Sequence, residues 1–161
     1  MWLSRQRPST DGSTISRKME FLANKAHTAT FHCCRPRGTR RSSTIILDSG
    51  CSRSCVNDPS QLQELVSAPR KMWTANGGHS SATHEGRLAS RIPALAKLKA
   101  SLIPDFQKGL VSLGEMDDLG IVWQGGGGKW SFYDSDGEFL VEVQKGNDNL
   151  WHFPEKVFGK S

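Results

Sequence analysis

The sequence predicts a mainly β domain with one short helix, behind a basic and largely disordered N-terminal segment. Three observations carry this. From residue 44 onward, short β-branched and aromatic runs alternate with Gly, Asn and Asp turns. In the last third the alternation has period two, the repeat of a half-buried strand. Residues 1–43, in contrast, are polar and without apolar period, so they cannot bury enough surface to order themselves.

The N-terminal segment also concentrates the charge. Its nine Lys and Arg stand against two Asp and Glu, a net +7, while residues 44–161 hold 12 basic and 14 acidic residues, a net −2. A solvated linker is the simpler reading of such a segment. The alternative is an arm that makes weak, sequence-independent phosphate contacts with nucleic acid. It carries no 7–15-residue apolar stretch of the signal-peptide kind, and no run in the chain approaches the ~20 apolar residues of a membrane helix. A cytoplasmic or nuclear location is expected, with no membrane partner.

Order begins at Thr44. The run Thr44-Ile45-Ile46-Leu47 reads as a buried strand, and Asp48-Ser49-Gly50 as the tight turn that ends it. Asp58 can cap a helix, Pro59 suits its first position and Gln61 fits a capping box. With Leu62, Leu65 and Val66 on one face, a short helix is expected there. Residues 71–90 read as a hairpin turning at Asn76-Gly77-Gly78. Residues 92–103 are ambiguous, because Leu95, Leu98 and Leu102 have helical spacing between Pro93 and Pro104. Strands then follow at 121–124, 129–133 and 139–143, with turns at Gly125–Gly128 and Ser135–Gly137. A last turn over 146–149 leads into Leu150-Trp151-His152-Phe153.

Most chemical motifs fail on inspection. Gly125–Gly128 and Lys129 lack the Ser or Thr of a phosphate loop, since Trp130 follows the lysine. Asp134, Asp136 and Gly137 lack the first Asp of a calcium loop. No G-x-S-x-G or H-E-x-x-H occurs. Cys33, Cys34, Cys51 and Cys55 do not have paired zinc spacing, and free thiols are expected. No metal or cofactor is therefore expected.

Asp48-Ser49-Gly50 remains. A carboxylate on a tight turn, with a hydroxyl residue beside it and a glycine allowing close approach, is the working part of an aspartic protease. Two such carboxylates ~3 Å apart share one proton. The ionised one takes a proton from water, which attacks the peptide carbonyl. The protonated one supports the oxyanion. The chain has a single Asp-Ser-Gly, because Asp105 and Asp117 lack the following Ser/Thr-Gly. The second carboxylate must then come from a second copy, in a two-fold dimer.

Ile45-Ile46-Leu47-Asp48-Ser49-Gly50-Cys51-Ser52 resembles the opening of the protease region of copia-type retrotransposon polyproteins, where Leu-Asp-Ser-Gly-Ala-Ser is typical. Later blocks follow in the family's order. They are Trp73-Thr74-Ala75-Asn76-Gly77-Gly78 with Gly86, Leu102-Ile103-Pro104-Asp105-Phe106, Leu110-Val111-Ser112-Leu113-Gly114-Glu115-Met116, and Gly120-Ile121-Val122 with Asn149-Leu150-Trp151. The resemblance covers about residues 44–153. It implies a retropepsin-like β-barrel over 44–125, active as a homodimer, with a β-meander extension over 126–161 leading toward an integrase region. Asp48 would be catalytic, with Ser49 and Gly50 completing its motif. Thr74, Ala75, Asn76, Gly77 and Gly78 would form a substrate-binding flap over an extended polypeptide, the element's own polyprotein. Strands, not a helix, are implied over 92–103. Cys51 replaces the usual Ala, Ser54-Cys55 replaces His-Met, and Gly109 and Glu115 replace Asn and Gln. The stretch reads as a piece of a longer polyprotein or an isolated frame. The competing reading is a catalytically inactive β-barrel remnant with a nucleic-acid-binding basic arm.

Overall fold

A computed structural model describes residues 44–74 and 77–159. The expected disorder of residues 1–43 lies outside them. The described chain is mainly β, with ten strands in one mixed sheet and one short α-helix. The sheet is open. Its order is β3-β4-β5-β2-β6-β1-β10-β9-β8-β7, where β1 is Ile45–Asp48, β2 Ser54–Val56, β3 Leu62–Trp73, β4 His79–Leu88, β5 Lys99–Leu102, β6 Gly109–Ser112, β7 Val122–Gly126, β8 Lys129–Tyr133, β9 Phe139–Lys145 and β10 Trp151–His152.

The apolar run before Asp48 becomes a central strand. β1 lies between β6, which it pairs in parallel, and β10, which it pairs antiparallel. Ile45 and Leu47 face one core layer with Val56, Leu62, Val111, Met116 and Phe132, while Ile46 joins a second with Cys55, Ile103, Phe106 and Leu110. Opposite faces of one strand thus feed two apolar clusters, as the two-residue repeat requires. The first cluster also contains Val141, Val143 and Phe153, and β7 runs through residue 125. One core therefore holds side chains from both stretches.

The helix expected around Leu62–Val66 does not form. Asp58 does cap, accepting from Ser60 N at 2.8 Å, and Pro59 does start a turn, but this is a single 3₁₀ turn over Pro59–Gln61. From Leu62 the chain extends into β3, which pairs with β4 along almost its whole length. Cross-strand pairing overrides a weak local helical pattern here. Leu65 and Val66 are consequently exposed, at 37% and 59%, and not buried on a helix face. β3 is an edge strand, and Pro69 sits within its second register shift, between Ser67 and Arg70, where proline does not break a ladder.

The one α-helix instead spans Leu113–Asp118 and is called α1. The ambiguous stretch divides between a 3₁₀ turn at Leu95–Lys97 and strand β5. The hairpin expected over 71–90 forms, with longer strands than its turn signal marks. The C-terminal strands appear near where alternation places them, except that β7 runs on through Gly125 and Gly126, so the turn is Gly127-Gly128 and not Gly125–Gly128. Val141 and Val143 are buried but Phe139 is exposed. A bulge pairs Tyr133 with Phe139 and leaves Leu140 extra, so the alternation slips by one residue.

Candidate active site

Asp48 ends β1, where the buried strand meets solvent. Its carboxylate is half-buried, and Ser49 and Gly50 are exposed. Asp48 Oδ1 accepts a hydrogen bond from Gly50 N at 2.7 Å. A Cβ on Gly50 would lie 3.3 Å from that oxygen, so glycine lets the backbone close on the carboxylate. Gly50 N is the one hydrogen-bond donor to the carboxylate among the described residues, and the other oxygen is left for a further partner. The Ser49 hydroxyl makes no hydrogen bond among them.

Support for the turn comes from across the sheet. Parallel register places Ser112 beside Asp48. Ser112 Oγ donates to Cys51 O at 2.7 Å and accepts from Glu115 N at 3.3 Å, which caps α1. Ser112 N donates to Ser54 Oγ at 3.0 Å, and Ser54 N donates to Glu115 Oε2 at 2.7 Å. Ser54 and Ser112 are fully buried, and buried polar groups require such partners. The segment after Asp48 is thus fastened to β6 and α1 through two serines and a carboxylate. Glu115, which stands where the resemblance leads one to expect Gln, is a full acceptor for Ser54 N. The amide of a Gln would accept there without the charge assistance.

Cys51 lies in this turn, and its Sγ is 3.5 Å from Asp48 O. Burial pushes its thiol up to about 12, and the neighbouring Asp48 carboxylate pushes in the same direction. It is a thiol, not a nucleophile, near neutral pH.

The segment also reaches the long hairpin. Arg53 Nη1 lies 3.7 Å from Glu85 Oε2 on β4, and Arg70 Nη2 on β3 donates to the same oxygen at 2.7 Å and to Ser101 Oγ at 2.6 Å. Of the expected flap, Ala75 and Asn76 lie outside the described residues. Thr74 N donates to Gly78 O at 3.0 Å and Gly77 N to Thr74 O at 2.9 Å, with Gly77 at φ +79°. These bonds close a tight turn at the tip. β5, β2 and β6 stand between β4 and β1 in the sheet, and no hydrogen bond joins the tip to Asp48 among the described residues.

The sequence marks Ser54, Ser112 and Glu115 only as residues of the family-like blocks, with no role in bracing the turn, and does not mark the Arg53–Glu85–Arg70 link. For Ser112 and Glu115 a signal existed, since Ser112-Leu113-Gly114-Glu115 fits the S-x-x-E capping pattern. For the arginines there was none, because the link depends on strand register. No group of three or more His, Cys, Asp or Glu able to hold a metal occurs among the described residues, and no helix among them is long and apolar enough to cross a membrane. In comparisons with protein-family models, with curated proteins and with solved structures, nothing matched this chain.

Proposed function

We propose that this chain is an aspartic endopeptidase of the retropepsin type and retrotransposon origin. Residues 44–125 carry the retropepsin-like part of this open sheet, and the working enzyme is a homodimer. The observation that carries the reading is the placement of Asp48. It ends a central buried strand, on a glycine turn braced from β6, with one carboxylate oxygen free of hydrogen bonds from the described residues. A hydrolytic dyad needs a carboxylate held in this way, with room for a second. The chain offers a single Asp-Ser-Gly, so Asp48 of a second copy completes the pair. Ser49 remains available to the partner subunit. A water between the carboxylates loses a proton to the ionised one and attacks the scissile carbonyl, and the protonated one donates to the oxyanion. The hairpin of β3 and β4 then covers an extended polypeptide with its tip at residues 74–78.

The test is cleavage of a longer piece of the parent polyprotein, or of a diverse peptide pool, read by mass spectrometry at mildly acidic and neutral pH. Asp48→Asn should lower cleavage by roughly 10³ or more while folding persists. Equal cleavage by the variant would refute the assignment. A second reading, a non-catalytic β module with a nucleic-acid-binding arm, is favoured by the net +7 over residues 1–43. Absent cleavage together with salt-weakened DNA or RNA binding, unchanged by Asp48→Asn, would select it.

A further inference from the structure

The far edge of the sheet carries a feature that the protease reading does not use. β7 pairs with β8 and, among the described residues, with nothing else, and all five of its residues are exposed. Its sequence, Val122-Trp123-Gln124-Gly125-Gly126, contains no Lys, Glu or Pro, the residues that normally guard such an edge. Gly127 and Gly128, at φ +58° and +87°, form the two-residue turn into β8, and Gly126 faces Lys129 across it. In this hairpin geometry the pair flanking the turn exchanges both hydrogen bonds, and bonded pairs then alternate. Trp123 and Gly125 therefore present their N–H and C=O groups outward.

Beside this open backbone lies an apolar row. Val122, Tyr133 and Phe139 are in register across β7, β8 and β9, with the Tyr133 and Phe139 rings 5.9 Å apart and edge-on. Val122 and Phe139 are exposed at 54% and 58%. A recess of about 240 Å³ opens between Val122, Trp123, Gln124, Tyr133 and Gly137. Acidic residues flank its Val122 end, whereas Lys129, ion-paired with Glu142 at 3.1 Å, stands at the turn end of the hairpin. Asp117 and Asp118 of α1, and Asp136 and Glu138 of the turn before β9, are exposed. A Cβ on Gly120 would lie 3.9 Å from that of Ser135, so the end of α1 and the turn form one rim.

We infer that the open edge of β7 takes a basic, extended polypeptide segment as an added strand. Backbone pairing supplies the affinity, and alternate side chains meet the aromatic row. Arginine fits both the carboxylate rim and the exposed aromatic faces. A second copy would bring acidic rim against acidic rim, and polyanions would be repelled.

The full-length chain is titrated against a fluorescein-labelled peptide alternating Arg and Val, with fluorescence anisotropy as readout. One control peptide is N-methylated at alternate residues and so cannot pair as a strand. Another carries Glu for Arg. The Arg peptide should bind, and each control should bind more weakly, on the order of tenfold or more. A doubly substituted Asp118→Lys, Asp136→Lys chain, altered only at exposed positions, should show a similar loss. No binding of the Arg peptide, or equal binding of its methylated form, would overturn strand addition. Unchanged binding by the substituted chain would place the contact elsewhere. A concentration-dependent mass that is lost on Trp123→Pro, which removes an outward N–H of β7, while Asp48-dependent cleavage survives, would assign the edge to a second copy instead.

Discussion

Asp48 and Cys51 share one turn yet have opposite chemical prospects. Asp48 sits where strand meets solvent, with a single donor to its carboxylate among the described residues. Cys51 is folded under, its thiol pushed up to about 12 first by burial and then by the Asp48 charge. At pH 8 it stays overwhelmingly in the unreactive thiol form. Alkylation with iodoacetamide at pH 8, mapped by mass spectrometry on the native protein, should therefore leave Cys51 unmodified, and raising the pH toward 10 should not expose it. Rapid labelling at pH 8 would mean that the turn opens. Cleavage, where present, should survive the same treatment, because Cys51 fills space and does no chemistry. Asp48 could be recognised in the sequence because its neighbours Ser49 and Gly50 are local. Ser112 could not be linked to it, since a parallel register joins residues that are 64 apart in sequence.

Register also explains what the elements revealed and concealed. The strands over 129–133 and 139–143 were legible because alternation is local and one face meets the core. β3 was not, since its partner β4 decides its conformation and its own residues hold a helical spacing. Its irregularity has a structural use. Glu64 adopts φ +54° at the shift between Gln63 and Val66, and the bulge presses the Gln63 carbonyl toward β4. A Cβ on Gly86 would meet that oxygen at 2.5 Å and Leu62 Cβ at 3.4 Å. Both obstacles belong to β3, which pairing with β4 holds in place. Gly86→Ala should cost about 1–3 kcal/mol, read as a lowered urea midpoint. Gly126→Ala, with no atom within 4 Å of its Cβ position, serves as the reference and should stay within about 0.5 kcal/mol. Equal midpoints for the two variants would mean that the bulge yields. α1 escaped notice for another reason, as its six residues are too few to show a period and its cap, Ser112 with Glu115, is its clearest mark.

The whole molecule is polarised from one edge of the sheet to the other. Asp48 lies near the middle of the strand order, the Arg70–Glu85 link toward the β3 edge and the acidic rim at the β7 edge. The mainly β class could be read from the sequence, whereas the open order of the strands could not, because it depends on pairings such as β1 with β10 that close more than a hundred residues of chain. The proposed dyad makes a prediction at this scale. If each active site takes one Asp48 from each of two subunits, a subunit bearing Asp48→Asn silences any dimer it enters. Wild-type protein dissociated, mixed with an equal amount of Asp48→Asn and reassociated should retain about one quarter of the activity of undiluted wild-type dimers at the same total concentration. The dependence on wild-type fraction should be quadratic. A linear dependence, with about half the activity left in the equal mixture, would show that each chain works alone, and the second carboxylate would then have to be sought within the same polypeptide.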